Sequence, residues 1–459
     1  MQNSRLQFVF ALSLVFSSAV LPRIVLAQDN NQSNSTSVER QKNESAVDES
    51  NRIVAEISSI QEEINLAESA NGPFDLGLLE PLQRMISLQR TLDNYEEVDR
   101  LIERYLQVNR INRNLSSFHQ LPALVEQISN DINQEDWQSI NDRFQFITWI
   151  FAQHSNFDTE DLLSLLDEFA NWNLTAVYID SPEFRKDHFD AYRAVIENAV
   201  EFAEREYSSQ SISLVPWWYR AALMEHRGMN IQRTGDELRV GPGAGSPEGA
   251  LASIRKIREL MHELDNSEAE GMALVYEADF LALSNQYSRN RSYGSSDRLY
   301  RQAIDLFREG GVSEETIDVF FKQAVIIPLK KFHLTIDSAM QEQEPLALTP
   351  ILGSEIGDDV QYGLEFTAWN ESLRFTRRPD RTSLFSGLST ELHSVLLELT
   401  IDKQGNLRNV SSLFSIPDSG RDRAFARDAV EELLFRPNPT ANRWRSEPRP
   451  VVLLYRYTP

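Results

Sequence analysis

Apolar residues recur at helical spacing over most of this chain, and the spacing turns to that of strands only near the C-terminal end. From Asn51 to about Gln343 the pattern is helical. Ile53, Ile57, Ile60, Ile64 and Ala67 step by three and four along one face. Asn71-Gly72-Pro73 breaks that helix, and Asp75 can start the next. Leu79, Leu82, Met85, Ile86 and Leu92 form a second face. Asp93-Asn94 makes a tight turn, and Tyr95, Val98, Leu101, Ile102 and Tyr105 form the face of a returning helix. Another pair is predicted from Phe280, Leu283, Ser284 and Tyr287 on one helix and Ser296, Tyr300 and Ala303 on its partner. Between them, Trp137 to Gln153, Glu160 to Trp172, Pro182 to Glu206 and Pro216 to Arg227 read as helix without a regular repeat. Thr234 to Gly249 reads as a Gly/Pro-rich loop, with Pro247 opening a helix capped by Ser246.

The period becomes two in the tail. Val395, Leu397, Leu399 and Ile401 alternate, as in a strand with one buried face. Asp402 to Asn406 has turn chemistry, with Gly405 available for a positive φ. Leu407 to Phe414 returns as a second strand, which makes a hairpin. Asp418 or Ser419 can cap a helix striped by Phe425, Ala429, Leu433 and Leu434, which Pro437 and Pro439 end. Val451 to Tyr455 closes the order β-β-α-β. Before it, Pro345 to Leu388 is a mixed linker with an extended piece at Tyr362 to Phe366 that can add a strand to the tail or pack against the last helices.

Two resemblances follow from these residues. The large-large-small-large run Phe280, Leu283, Ser284, Tyr287 and the small-aromatic-small run Ser296, Tyr300, Ala303 resemble a tetratricopeptide repeat. The earlier hairpin shares that family's period of about 34 residues, although Ile86 and Tyr105 stand where small residues are usual. The tail, through the turn IDKQGNL, the helix ending LLFRPNP and the closing apolar strand, resembles the C-terminal domain of TonB, the energy transducer of bacterial envelopes. With VNRINRNLSSFHQLP at Val108–Pro122 and the Tyr300/Ala303 helix leading into Pro328, the whole resembles a group of proteobacterial envelope proteins. The expected fold class is therefore mainly α, a tetratricopeptide-like α-solenoid, followed by a small α+β TonB-C-like domain. The expected boundaries are 1–27 signal peptide, 28–50 disordered tether, 51–343 helical repeats, 344–388 linker and 389–459 TonB-like tail.

Composition changes the picture in three ways. Arg5, the apolar run Leu6 to Leu21 and Val25-Leu26-Ala27 before Gln28 fit a secretory signal cleaved after Ala27. A periplasmic location is expected, with an inner-membrane anchor as the alternative if the run is retained. No cysteine is present, so disulfides and thiolate chemistry are excluded. The net charge is -24, which makes the chain a poor general binder of nucleic acid or anionic lipid.

Candidate chemistry is sparse. The seven histidines show no metal-ligand spacing. His262-Glu263-Leu264-Asp265-Asn266 lacks the second histidine of the zinc-protease helix. Gly241 to Gly245 lacks the Lys-Ser/Thr of a phosphate loop, and Ser253/Lys256 lacks the elements that accompany a serine–lysine pair. No catalytic residue, metal or cofactor is expected, and the aromatic residues at Trp137–Trp149 and Trp217–Tyr219 are expected to serve packing. The expected function is a non-enzymatic adaptor binding protein partners of the cell envelope, an outer-membrane protein peptide among them. A TonB-type energy transducer is the first alternative, and an enzyme using carboxylates from separate helices the second. The candidate partner surface is an edge strand holding Val451, Leu453, Tyr455 and Tyr457 beside Arg449. Arg436 is expected in solvent, and Arg443, Arg445, Arg449 and Arg456 are expected to suit an acidic extended peptide.

Overall fold

The computed structural model describes residues 35–154, 158–181, 183–229, 231–234, 237–240, 245–287, 295–342, 363–370, 392–402, 404–439 and 449–458. Helices α1 (Ser35–Asn71), α2 (Leu79–Thr91), α3 (Tyr95–Arg113), α4 (Leu121–Asn133), α5 (Trp137–Ala152), α6 (Thr159–Ile179), α7 (Arg185–Glu206) and α8 (Val215–Met229) follow one another. Then come α9 (Pro247–Glu263), α10 (Ser267–Tyr287), α11 (Ser296–Glu309), α12 (Glu314–Lys322) and α13 (Ile336–Glu342). Each helix from α1 to α12 packs on the next, the nearest-neighbour pattern of a solenoid. A short hairpin, β1 (Ile231–Thr234) and β2 (Glu237–Val240), interrupts the loop between α8 and α9.

The first hairpin recurs, and its period is longer than the sequence pattern suggested. Leu82, Ile86, Val98 and Ile102 reappear 42 positions later as Leu124, Ile128, Ile140 and Phe144, all buried. The capped turns that precede these helices recur as well: Asp75 accepts from Gly77 N at 2.7 Å and Ser117 from His119 N at 3.3 Å. The α4/α5 hairpin escaped the sequence reading because Gln127 and Asp131 sit on its buried face and dilute the apolar count.

The turns inside the hairpins share one geometry. Asp93, Glu135, Asp265 and Gly311 all have positive φ. In each turn the amide of that residue bonds a carbonyl three positions back, and the next amide bonds one five positions back (Asn94 N to Gln89 O at 3.0 Å, Asn266 N to Met261 O at 3.1 Å). This is the Schellman arrangement that satisfies the last carbonyls of a helix. Asp136 and Asn266 then cap the following helix, which explains why Asn stands where a zinc-binding helix would need His.

Two departures concern the ends of the array. α1 begins at Ser35, inside the stretch expected to be a disordered tether. No Pro or Gly interrupts Ser35 to Ser50, and its Glu, Arg, Gln, Lys and Ala residues favour helix. At the other end, β3 (Ile326–Ile327) belongs by sequence to the array but pairs with β7 (Leu434–Phe435) of the tail. The tail helix α14 (Gly420–Val430) therefore stops before Leu434 instead of running to Pro437. Ser419 is its cap, as expected, accepting from Asp422 N at 3.2 Å.

The tail sheet has the order β4-β8-β5-β6, from β4 (Gly363–Asn370), β8 (Arg449–Thr458), β5 (His393–Ile401) and β6 (Leu407–Ile416). Val395, Leu397, Leu399 and Ile401 face α14 and are fully buried, as their alternation predicted. Gly405 closes the β5–β6 turn at φ +86, with its Cα so close to Phe435 O that a Cβ would meet it at 2.0 Å. Only glycine meets both demands.

A left-handed residue with a side chain costs roughly 1 kcal/mol more than glycine there, partly offset by the extra freedom of glycine in the unfolded chain. Glu135→Gly is expected to stabilise the protein by about 0.5–1 kcal/mol. The check is the urea midpoint at unchanged m, and a lower midpoint would show that the Glu135 side chain contributes more than its backbone costs.

Candidate functional site

The tail and the array meet through side chains whose pairing no local pattern announces. Arg436 lies just past β7, and its backbone N donates to Val325 O at 2.8 Å. Its guanidinium enters the end of the array between α10, α11 and α12, where it and Asp279 are each 1% exposed. Nε donates to Asp279 Oδ1 at 3.1 Å and Oδ2 at 3.2 Å, and Nη2 donates to Oδ2 at 2.5 Å. Tyr300 Oη donates to Asp279 Oδ1 at 2.7 Å, and the Phe320 ring lies 5.2 Å from the guanidinium carbon. Burial opposes the charge on Arg436, but the Asp279 carboxylate outweighs it and holds the pKa above the ordinary value. Burial and Asp279 together keep Tyr300 protonated. The expectation of a solvated Arg436 is thus overturned, because the helix ends early and β7 aims the side chain into the array.

Arg449 completes the junction. Nη1 donates to the carbonyls of Gln323 at 3.0 Å, Lys322 at 3.4 Å and Phe321 at 3.5 Å, and Nη2 donates to Arg436 O at 3.1 Å. It caps the C-terminus of α12, where a cation also suits the helix dipole. Burial pulls its pKa down to about 10.

These contacts correct the candidate partner surface. Val451, Leu453, Tyr455 and Tyr457 are buried in β8, which has β5 on one side and β4 on the other. The reason is the expected linker: Phe366 and Ala368 alternate inward, and β4 pairs in parallel with β8, with Phe366 stacked on Tyr455. Arg456 bonds Glu365 of β4 at 2.6 Å, so neither it nor Arg449 is available to an acidic peptide. Arg443 and Arg445 lie outside the described residues, as does the side chain of Tyr287. Among the described residues the end strands of the sheet are β4 and β6, and β6 exposes Leu413 (45%) and Ile416 (56%).

Grooves lie between successive helices among the described residues of the array. One, of 680 Å³, lies between α9, α10 and α11 and is lined by Glu259, Glu263, Glu270, Asp305 and Glu309 around Leu274 and Leu306. Arg258 reaches it but is held by Glu277 at 2.5 Å, and His262 pairs with Glu270 at 3.0 Å. Another, of 370 Å³, has a floor of Ile196, Val200, Ala221 and Met224 beneath Glu197, Glu201, Glu204 and Glu225. Only the packing of three helices brings the carboxylates of each groove together, and no local pattern announces that packing. Ser253 and Lys256 have local roles: the hydroxyl bonds Gly249 O and the ammonium bonds Glu204 at 2.7 Å. Trp217, Trp218 and Tyr219 are buried, with Tyr219 Oη donating to Leu329 O at 2.8 Å.

The fold and junction define a class: an α-solenoid of antiparallel helical hairpins closed by a small sheet domain. No family model and no curated protein matches the chain. Among solved structures it is similar to BtubC (BKLC) from P. vanneervenii, at 10% identity and a TM-score of 0.33, over 65% of this chain and 94% of that one. It is also similar to nearly identical TPR-like repeats ascribed to a kinesin light chain of Podosopora anserina, at 12% identity and a TM-score of 0.31, over 51% of this chain and 97% of that one. At these scores the likeness adds nothing to what the hairpins themselves establish.

One buried carboxyl lacks a partner as close as that of Asp279. Asp131 on α4 is 4% exposed, and its nearest cation, Arg143 Nε, stands 3.6 Å away. Burial, against the pull of Arg143 and with the push of Asp99, Asp136 and Glu103, raises its pKa to about 7. The folded state therefore holds a proton that the unfolded chain releases near pH 4. The contribution of Asp131 to stability is therefore fully present below pH 4 and is lost as pH rises towards and through 7. Asp131→Asn is expected to remove most of that slope and to raise stability at pH 8, measured by urea unfolding at pH 5 and pH 8. Parallel pH profiles for the two proteins would show that Asp131 is not the titrating group.

Proposed function

We propose that this protein is a non-enzymatic interaction scaffold of the bacterial cell envelope, exported to the periplasm and cleaved after Ala27. The observation that carries this reading is the pair of grooves on a repeat array, each with carboxylates ringing apolar side chains. Stacked hairpins form extended surfaces suited to holding another chain. These grooves favour a partner segment that alternates basic and apolar residues. The secretory pattern of residues 1–27 and the TonB-like wording of the tail support the compartment.

A TonB-type energy transducer is the second reading. It is favoured by β6, an end strand with exposed Leu413 and Ile416 to which an extended peptide can add. It is disfavoured by the buried contacts that hold the tail on the array, since a transducer needs its terminal domain to reach across the periplasm.

Cross-linking in intact cells, followed by fractionation and intact mass, tests both parts. The expected product is a soluble periplasmic species starting at Gln28, with a protein adduct that is lost on Glu263→Lys with Glu309→Lys. A membrane-bound species of full length would favour the transducer. Absence of any protein adduct would count against a scaffold.

A further inference from the structure

Arg436 and Asp279 are 157 positions apart in sequence and share one buried site. Around it the two parts of the chain are interleaved rather than merely adjacent. β3 of the array and β7 of the tail form a sheet of their own, Ile326 opposite Phe435 and Ile327 opposite Leu434. Ala324 and Ile326 belong to the hydrophobic core under the tail sheet, not to that of the array. Arg449 reaches the other way, onto the last carbonyls of α12. A solenoid must close its final hairpin with something that satisfies exposed apolar surface and open carbonyls, and here those groups are met by the tail.

We infer that the C-terminal sheet domain is the obligatory cap of the helical array, and that the Arg436–Asp279 ion pair is the latch through which the two open together. The contact is intramolecular and does not depend on what the grooves bind. A tail on a free tether would open and close independently of the array. A latched tail cannot, because withdrawing Arg436 leaves the Asp279 carboxylate buried in the array without its cation. Any partner that takes the tail sheet then acts on the array as well. A pull applied to β6 is carried into α10 and α11, which also line the larger groove.

The test is hydrogen exchange followed by mass spectrometry on the full chain, comparing the unaltered protein with Asp279→Asn, a change confined to the array. The latch predicts faster exchange in β5, β8 and α14 of the tail, by about 100-fold or more, together with α10 and α11. Loss of protection in α10 and α11 alone, with the tail unchanged, would overturn it. Should Asp279→Asn fail to fold, the paired change Asp279→Leu with Arg436→Met removes both charges. That variant lacks the latch and is expected to fold with the tail exchanging independently of α10 and α11, and tail and array still exchanging in step would overturn the assignment of the pair as the latch.

Discussion

A guanidinium withdrawn from water must be matched where it comes to rest, and Nε and Nη2 of Arg436 are matched by Asp279, itself held by Tyr300, with the face of Phe320 beside the guanidinium. The pair is a weak source of net stability, since removing two charges from water costs nearly as much as their attraction returns. Its effect is to fix position. Only one docking of the tail places the Arg436 fork on the Asp279 carboxylate while its amide meets Val325 O and its carbonyl meets Arg449. Displacements of an ångström or two would leave a buried charge alone. The tail is thus held in a single pose on α10–α12 by a requirement of electrostatics rather than by apolar area alone.

The array depends on a second constraint, the close reversal of its helices. Left-handed residues at Asp93, Glu135, Asp265 and Gly311 turn the chain within three or four residues. Small residues then let helices approach: a Cβ on Gly271 of α10 would meet the Phe307 ring of α11 at 2.6 Å. Buried Ser284 and Ala303 have the same effect. Stacking hairpins in this way leaves grooves between successive helices. Their carboxylate rims account for part of the acidic balance of the chain, and they give the scaffold reading a definite chemistry, a preference for basic segments with apolar anchors.

Much of the secondary structure was legible because it follows from local period and turn chemistry. The alternation at Val395–Ile401, the Asp93-Asn94 turn, the Ser246–Pro247 helix start and the positive φ of Gly405 are all written within a few residues. Pairing between distant segments is written nowhere locally. Val451–Tyr457 looked like an edge because nothing near it announces that Gly363–Asn370, some ninety residues earlier, lies alongside. Arg436 looked solvated because arginine usually is, and its partner sits in the middle of a helix whose pattern is otherwise apolar. The 42-residue period was obscured by buried Gln127, a polar residue at the position where the first hairpin has Met85. The grooves were illegible for the same reason as the junction: each takes its wall from three helices.

The most direct measurement of the central claim is a double-mutant cycle on Asp279 and Arg436 in the full chain, by urea denaturation. Asp279→Leu alone and Arg436→Met alone are each expected to cost about 3–5 kcal/mol, and the double variant far less than their sum. Coupling of that size means the two residues share one desolvated site in solution and that the tail is docked as described. Additive single effects, or singles near zero, would mean that the charges are hydrated and the tail stands apart from the array.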